Sequence, residues 1–349
     1  MHTPDVRVTA CNEHPERDGA DFVLYWMIAQ RRLTYNFALQ RAVERAGALK
    51  LPLVILEPLR CGYRWASDRL HRFALDGMAD HAALTKNLPV TYYPYVEPEG
   101  GHGKGLLAAM AERAAVVVTD DWPCFFVPRM VQAAADTLGV RVEKVDSNGI
   151  LPMYATDRVF TTAYSFRRGL HKMLPSHLGD FPEADPLSTC DLRVLDEAAL
   201  RGIQERWAPA SRELLTKGAV EPLAQLPIDH AVAPSDVVGG MLAARARLDQ
   251  FIEGGLERYK EERNEPSSGA ASDLSPYLHW GQISAHEVFT RVMSTCGWTP
   301  EDVAAKATGK REGWWGASEA AEAFIDELVT WREIGYNMAA LAPDQYDQF

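Results

Sequence analysis

Residues 272–277 of this 349-residue chain have the types and spacing of a site that binds an anion. They read Ser-Asp-Leu-Ser-Pro-Tyr, and Ser275 before Pro276 is typical of a helix start, with a side-chain oxygen at the N-cap and a fixed φ at the first helical position. Small polar residues ahead of such a start leave backbone amides free, and the helix dipole adds partial positive charge. The string predicts an anion site suited to a pyrophosphate. The alternative is an ordinary capped helix that binds nothing.

A second helix start follows at Ser284. Glu287 stands three residues further on, where its side chain can reach back to the cap amide as in a capping box. The pattern predicts a helix that begins directly after Ser284.

Glu327 and Trp331 stand four residues apart in a long helical pattern that opens after Ser318, so they share one helix face. A carboxyl group beside an indole suits a pocket for a flipped-out base lesion. The ring stacks on pyrimidines, and the acid hydrogen-bonds or donates a proton to a carbonyl that gains negative charge. The alternative is a core helix that packs Phe324, Leu328 and Trp331 inward and leaves Glu327 solvated.

The elements that position these residues begin with a regular alternation of short apolar runs and amphipathic segments in residues 21–150. The runs predict buried strands at 22–27, 53–56, 90–93, 116–119 and 140–145. The clearest helix starts at Ser67, with a predicted inner stripe and a predicted outer face. The stripe is Leu70, Phe73, Ala74, Met78, His81 and Leu84, and the outer face is Asp68, Arg69, Arg72, Asp76 and Asp80. The alternation predicts a doubly wound, Rossmann-like parallel α/β sheet.

Beyond Asp236 the strand signals end, and segments 241–259, 276–278, 285–293 and 319–340 predict an all-helical second domain. The predicted organisation is a tail at 1–20, an α/β domain at 21–150, a connector at 151–235 and a helical domain at 236–349. The connector is rich in proline, aspartate and alanine from Phe181 to about Ser235.

Composition indicates a soluble globular protein, with 47% hydrophobic and 24% charged residues. No apolar run marks a secretory signal or a membrane span, so a cytoplasmic protein is expected. Five scattered cysteines (Cys11, Cys61, Cys124, Cys190 and Cys296) and ten scattered histidines predict reduced thiols and no metal site.

The net charge of −12 opposes nucleic-acid binding, because phosphate contacts need lysine and arginine. Local basic faces could still provide these phosphate contacts. One predicted cluster is Arg158, Arg167, Arg168, His171 and Lys172, and a second is Lys306, Lys310 and Arg311. Each has a solvated helix face as its alternative.

Several strings resemble, in chain order, those of the DNA photolyase and cryptochrome family, and of class II cyclobutane pyrimidine dimer photolyases in particular. They are Tyr259-Lys-Glu-Glu-Arg263, Ala271-Ser-Asp-Leu-Ser-Pro-Tyr-Leu-His-Trp-Gly-Gln-Ile-Ser284 and Trp331-Arg332-Glu333, with Val23-Leu-Tyr-Trp-Met27 and Asn36-Phe-Ala-Leu39 near the amino terminus. The resemblance covers most of the chain.

The resemblance implies a carbon–carbon lyase that repairs cyclobutane pyrimidine dimers with an electron from light-excited reduced FAD. It implies that the FAD phosphates are held by Tyr259, Ser272, Asp273, Leu274 and Ser275, with Arg332 on the flavin side of its helix. Arg263 would contact DNA, and Glu327 and Trp331 would line the dimer pocket as catalytic and DNA-binding residues. A second, antenna chromophore is implied without its identity. UV-damaged DNA is the expected partner of a monomer that binds neither metal nor membrane.

Two features depart from the family pattern. Asp273 stands where relatives often carry an amide, which puts a negative charge beside the expected pyrophosphate. The chain ends at Phe349, whereas the family normally continues further, so the helical FAD-binding domain is expected to be truncated. The other flavin wall and the electron-relay tryptophans would lie beyond this point, and the spacing of Trp298, Trp314 and Trp315 does not identify substitutes.

Three functions remain open from the sequence. The leading hypothesis is the light-driven pyrimidine dimer lyase. The second is a cryptochrome-like photosensor that binds flavin without repair, against which Glu327 and Trp331 argue. The third is a non-catalytic homologue in which only the α/β domain binds a nucleotide or chromophore, and the early chain end argues for it.

Overall fold

The computed structural model describes residues 2–188 and 191–346, and a six-stranded sheet forms its amino-terminal part. The strands are β1 (Val8–Ala10), β2 (Phe22–Trp26), β3 (Leu53–Leu59), β4 (Val90–Val96), β5 (Ala114–Asp120) and β6 (Val142–Val145). Their order is β1-β6-β5-β2-β3-β4, with β1 antiparallel to β6 and all other neighbours parallel. The predicted doubly wound α/β sheet is confirmed. Met1, Cys190 and residues 347–349, on which sequence predictions also fall, lie outside the described residues.

The strand β1 carries no apolar alternation that would mark it in the sequence. It pairs Thr9 with Lys144 of β6 and follows a 3-10 helix, Asp5–Arg7. Arg7 is buried and donates from Nη2 to the Ile150 carbonyl oxygen over 2.7 Å. Long-range pairing, rather than local pattern, therefore creates this sixth strand.

Helices cover both faces of the sheet and make up the carboxyl-terminal part. They are α1 (Phe37–Leu49), α2 (Asp68–Thr85), α3 (Leu106–Ala111), α4 (Val127–Thr137), α5 (Ala163–Met173), α6 (Arg201–Arg206), α7 (Met241–Gly254), α8 (Tyr259–Glu262), α9 (Ser275–His279), α10 (Ala285–Ser294), α11 (Glu319–Ile325), α12 (Arg332–Leu341) and α13 (Pro343–Tyr346). Short 3-10 helices lie at Leu174–Ser176, Glu197–Leu200, Glu221–Gln225, Leu256–Arg258 and Pro300–Asp302. The predicted helical second part is confirmed, and the domain boundaries stay a prediction.

The helix α2 begins after Ser67 as predicted, but its predicted outer face is wrong at four of its five residues, and Arg69 alone of the five is exposed. Asp76 and Asp80 are each 2% exposed, whereas Leu84 from the predicted inner stripe is 42% exposed. Asp68 and Arg72 are buried as well. Asp76 accepts from the Gly239 amide over 3.2 Å, because the chain that leads into α7 packs across this face. Burial by a later segment cannot be read from helical periodicity.

The second helix start is confirmed in one respect and wrong in another. The Ser284 hydroxyl caps α10 by accepting from the His286 amide over 3.1 Å. Glu287 accepts instead from Arg245 Nε over 2.6 Å, so the expected capping box does not form. A guanidinium attracts the carboxylate more strongly than a single amide does.

The carboxyl end of the sheet is filled where the strand order reverses, between β2 and β5. Asp120 Oδ2 accepts from three consecutive amides of the loop after β2, those of Ile28, Ala29 and Gln30, over 2.7–2.9 Å. The loop also packs against Gly281, where an added Cβ would lie 1.9 Å from the Ala29 oxygen. Sheets of this type usually bind ligands at this edge. In this chain the edge is occupied by the loop after β2, which packs against Gly281 of the helical part.

Candidate functional site

The segment that carries Glu327 and Trp331 is a π-helical turn, Asp326–Trp331, between α11 and α12. Such turns are rare and often occur at functional sites. Asp326 is 2% exposed and accepts from Arg167 Nε and Nη2 over 2.8 and 3.0 Å. Arg311 approaches the same carboxylate at 3.5 Å. A buried, paired carboxylate therefore anchors the first residue of the turn.

The Glu327 carboxylate lies between two guanidinium groups. Arg263 Nη1 donates to its Oε1 over 2.8 Å, and Arg311 Nη2 is 3.7 Å from the same oxygen. The side chain of Glu327 is 37% exposed. The carboxylate is thus charge-balanced and fixed in orientation while one side remains open to a ligand.

Trp331 is 53% exposed, whereas Phe324 and Leu328 are each 4% exposed. The alternative in which all three residues pack into the core is therefore wrong for Trp331. The turn buries Leu328 and Val329 and leaves the indole at the surface, in the same turn as Glu327.

Tyr259 lies in the same neighbourhood. Its ring packs against Phe251 and Phe324, with centroid distances of 5.7 and 5.2 Å, and the Arg263 guanidinium lies 5.5 Å from its centroid. Burial and the charge of Glu327 raise the pKa of the Tyr259 hydroxyl, so the group stays a neutral donor. Tyr259, Arg263, Glu327 and Trp331 form what we call the indole cluster.

Residues 272–274 form an irregular segment that leads into α9 at Ser275. Asp273 has φ of 51°, a left-handed conformation that aspartate and asparagine tolerate better than most side chains. Its Oδ2 lies 3.0 Å from Arg247 Nη2, and Arg247 also donates to the carbonyl oxygens of Ala271 and Ser272, each over 2.9 Å. Arg247 therefore offsets the negative charge that the sequence places beside the expected anion.

The predicted N-cap role of Ser275 is wrong. The N-cap of α9 is Leu274, without a side-chain cap bond, and Ser275 is the first helical residue. The Ser272 hydroxyl accepts from the Leu274 amide over 3.4 Å. This local side-chain turn replaces the expected cap. Leu274 is fully buried, and the Ser275 hydroxyl faces solvent.

Arg332, the first residue of α12, contacts both α9 and the segment after β6. Its Nη2 donates to the Leu278 carbonyl oxygen of α9 over 3.4 Å, and its Nη1 donates to the Asn148 carbonyl oxygen over 2.9 Å. Its guanidinium lies 5.0 Å from the centroid of the Tyr336 ring. Arg332, which follows Trp331 directly, therefore links the π-helical turn to α9. Within the described residues, Tyr259 forms no hydrogen bond, ion pair or ring contact with residues 272–275.

Glu333 also occupies this region, although its pattern in the sequence suggests no role. It is 5% exposed and accepts from the amides of Ile150 and Leu151 over 2.6 and 3.2 Å. Burial raises the pKa of Glu333 to about 8, although these amides and the Arg7 and Arg332 guanidiniums favour its charged form. The sequence places Glu333 in the string Trp331-Arg332-Glu333, but local periodicity gives no sign that its carboxyl group is buried.

The first basic cluster divides into two sets. Arg167 pairs with Asp326, and His171 stacks on Trp314 at 4.0 Å. Burial and the neighbouring Arg167 charge lower the pKa of His171 to about 4, so this imidazole is neutral at pH 7. The predicted contribution of His171 to a basic face is therefore wrong. Arg158, Arg168 and Lys172 remain at the surface.

The three tryptophans beside this region pack together. Trp315 lies 4.9 Å from Trp314 and 6.2 Å from Trp298 between ring centroids. Trp314 and Trp315 are buried, so they contribute to the core of the helical part.

Within residues 2–188 and 191–346, no group of three or more histidine, cysteine, aspartate or glutamate side chains is arranged to hold a metal ion. None of the helices in this part of the chain combines the length and hydrophobicity needed to cross a membrane. Among the described residues, Cys11, Cys61 and Cys296 form no disulfide.

The chain is similar in sequence to two curated relatives over most of its length. The chain is 28% identical over 335 residues to a deoxyribodipyrimidine photo-lyase of Methanothermobacter thermautotrophicus, covering 93% of the chain and 62% of the relative. It is 26% identical over 332 residues to one of Arabidopsis thaliana, covering 93% of the chain and 60% of the relative. No family model matches. The chain thus spans about three-fifths of the length of these relatives.

Solved structures show the same fold. A class III photolyase from Agrobacterium tumefaciens has a TM-score of 0.65 at 18% identity, covering 94% of this chain and 61% of that one. A cryptochrome from Synechocystis has a TM-score of 0.55 at 14% identity, covering 98% of this chain and 62% of that one. The resemblance to photolyases and cryptochromes is confirmed, and the class II form of it stays a prediction.

Proposed function

We propose that this chain, which resembles photolyases in sequence and has the photolyase and cryptochrome fold, carries out light-driven repair of cyclobutane pyrimidine dimers in DNA with reduced FAD. The observation that carries the proposal is the half-exposed Trp331 indole beside Glu327, on a turn whose other large apolar side chains are buried. An exposed indole next to a fixed carboxylate has the chemistry of a surface that stacks and hydrogen-bonds a base.

The donor groups of residues 272–275 fit a diphosphate. Two hydroxyls, those of Ser272 and Ser275, stand at the start of α9, where the first helical amides have no carbonyl partner within the helix. The Arg247 guanidinium offsets the Asp273 carboxylate at 3.0 Å, so the segment does not present an uncompensated negative charge. Together with the Leu274 backbone, these groups would hold the FAD phosphates, and Arg332 would face the flavin.

Tyr259 has a different supporting role in this proposal. Its ring supports Arg263, and Arg263 in turn orients Glu327 over 2.8 Å. The phosphate contact implied by the resemblance would need the Tyr259 hydroxyl, which stays neutral because burial and Glu327 raise its pKa.

FAD, when reduced and bound, would supply the light-excited electron that splits the cyclobutane ring and is then returned. The chain's own residues bind and orient the lesion. Trp331 stacks on the flipped pyrimidines and contributes roughly 1–3 kcal/mol per base toward the few kcal/mol that extrusion costs. Glu327 accepts a hydrogen bond from a base N–H, while the Arg263 guanidinium contacts DNA and donates toward developing negative charge.

The filled carboxyl edge of the sheet argues against the hypothesis that only the α/β domain binds a nucleotide. Asp120 already satisfies three loop amides there, and Gly281 packs against the same loop. A ligand at the strand-order reversal would have to displace both contacts. The helical part is therefore the better location for the cofactor.

The test combines flavin binding with repair. The purified chain is mixed with FAD, its visible spectrum is recorded, and it is illuminated with blue light in the presence of a thymine-dimer oligonucleotide. Retained flavin with restored thymine supports the proposal. Retained flavin without restoration indicates a photosensor, and failure to take up flavin would refute both functions.

The variant Glu327→Ala sharpens this test, with Glu205→Ala on the exposed face of α6 as its matched control. We expect Glu327→Ala to slow repair and leave flavin content unchanged, because its carboxylate contacts arginines rather than residues 272–275. Parallel loss of flavin and repair would show that Glu327 supports the cofactor instead.

A further inference from the structure

A groove of about 250 Å³ lies along the outer face of α5, apart from the indole cluster. Its lining includes Arg158, Tyr164, Arg168 and Lys172. Tyr164, Arg168 and Lys172 follow one another at intervals of four residues and so share a helix face, each about 6 Å further along the axis.

The three cations of the groove have no carboxylate partner within 4 Å among residues 2–188 and 191–346. By contrast, Arg167 on the neighbouring face is bound to Asp326. Arg168 and Lys172 four residues apart repel one another, which costs the helix a little stability. In a chain with a net charge of −12, a groove lined by unpaired cations is an attractive site for an anion.

The groove has a rigid floor and wall. Gly169 lies in its lining, where an added Cβ would be 2.8 Å from the Phe160 ring, so α5 packs closely on that ring. The Arg158 guanidinium lies 4.7 Å from the centroid of the same ring. The Tyr164 ring is 58% exposed and can offer a flat surface to a base.

We propose that this groove binds the backbone phosphates of a single nucleic-acid strand, with Arg158, Arg168 and Lys172 at the phosphates and Tyr164 stacked on an unpaired base. Recognition is independent of the lesion, because phosphates and ring faces carry no lesion-specific chemistry. The choice of nucleic acid as ligand rests on the proposed function.

The groove adjoins α12, the helix that begins directly after Trp331 of the indole cluster. The Asn337 side chain of α12 donates to the Arg158 carbonyl oxygen over 3.0 Å and accepts from the Phe160 amide over 3.0 Å. On the other side, Gly309 lies against Tyr164 and Arg168. A strand held in the groove would therefore run beside the helix that begins after Trp331.

The experiment measures dark binding of a labelled, undamaged oligothymidylate by fluorescence anisotropy. We compare the wild type with Arg168→Gln/Lys172→Gln and with a control, Lys104→Gln/Arg212→Gln, which removes two exposed cations elsewhere. Removing two phosphate contacts should make the slope of log affinity against log salt shallower by about 1.4. The ratio of the wild-type affinity to the affinity of Arg168→Gln/Lys172→Gln should then fall about sevenfold between about 50 and 200 mM salt.

Tyr164 gives a second readout. Tyr164→Ala should weaken binding about 5- to 150-fold and Tyr164→Phe should restore it, because stacking needs the ring and not the hydroxyl. Thermal melting confirms that each variant is folded.

Equal salt slopes for the wild type and Arg168→Gln/Lys172→Gln would overturn the inference. So would displacement of the oligonucleotide by inorganic pyrophosphate or a mononucleotide at equal phosphate concentration, because the groove would then take isolated anions. Dark binding needs neither flavin nor light. A protein that binds the strand but restores no thymine therefore refutes only the proposed function, and one that repairs with an unchanged slope refutes only this inference.

Discussion

Replacement of Trp331 by alanine tests whether its exposed indole is a stacking surface. If the ring stacks on a flipped base, Trp331→Ala loses roughly 1–3 kcal/mol of binding energy. At about 1.4 kcal/mol per tenfold change, the affinity for a thymine-dimer oligonucleotide should fall about 5- to 150-fold. Trp331→Phe keeps a ring and should recover most of this loss.

The structure also limits the cost to folding. Trp331 is 53% exposed, so about half of the roughly 200 Å² of a tryptophan, about 100 Å², is buried against the protein. At about 25 cal/mol per Å², removal of this contact lowers the free energy of unfolding by at most about 2.5 kcal/mol. The variant should therefore remain folded and take up FAD.

The matched control is Trp65→Ala, which removes a tryptophan that is 67% exposed in the loop after β3. Binding is measured in the dark by anisotropy, flavin content by absorbance, and unfolding by chemical denaturation. If Trp331→Ala binds the lesion oligonucleotide as tightly as Trp65→Ala does, the indole does not contact the substrate. If Trp331→Ala loses its flavin as well, the ring belongs to the cofactor site.

Three further predictions concern stability. Burial raises the pKa of Glu333 to about 8 from an ordinary value of 4.5. The folded protein therefore holds the proton more tightly, and this contribution to the free energy of unfolding is lost at up to about 1.4 kcal/mol per pH unit as the pH rises from about 4.5 through about 8. Chemical denaturation across this pH range should show that the free energy of unfolding of Glu333→Gln lacks this dependence on pH. The same dependence in the wild type and the variant would contradict the assignment of the raised pKa to Glu333. Gly281→Ala should prevent stable docking of the helical part, because its Cβ would lie 1.9 Å from a carbonyl oxygen. The control Gly297→Ala has a similar φ of 65° and open space around it, so in thermal melts it should lower the free energy of unfolding by only about 1–2 kcal/mol. Equal losses for the two variants would show that the structure around Gly281 shifts to accommodate the added Cβ. Arg167→Gln should lower the free energy of unfolding by about 3 kcal/mol, because it leaves the buried Asp326 carboxylate with only the more distant Arg311. The control Arg168→Gln should change the free energy of unfolding little. Comparable losses of stability from the two variants would argue against a buried ion pair between Arg167 and Asp326.

Local patterns determined the main elements of this protein. Short apolar runs predicted the strands β2 to β5, because parallel strands buried on both faces are largely apolar, and the segment 140–145 predicted β6 although that strand carries Glu143 and Lys144. Helical patterns predicted α7, α9, α10, α11 and α12, although α7 ends at Gly254 rather than at Tyr259. The N-cap at Ser284 followed from its hydroxyl. The four-residue spacing also brought Glu327 and Trp331 into one neighbourhood, although the turn that holds them is π-helical.

Tertiary structure alone decided which charges meet and which polar faces are buried. Asp76 and Asp80 look like a solvated face in the sequence, but the later segment around Gly239 covers that side of α2. Arg263 reaches Glu327 and Arg247 reaches Asp273 across long stretches of chain. Periodicity specifies the direction of a side chain within its own element, whereas the partner that it meets depends on how distant elements pack, and so the electrostatics of the candidate site emerged only from the fold.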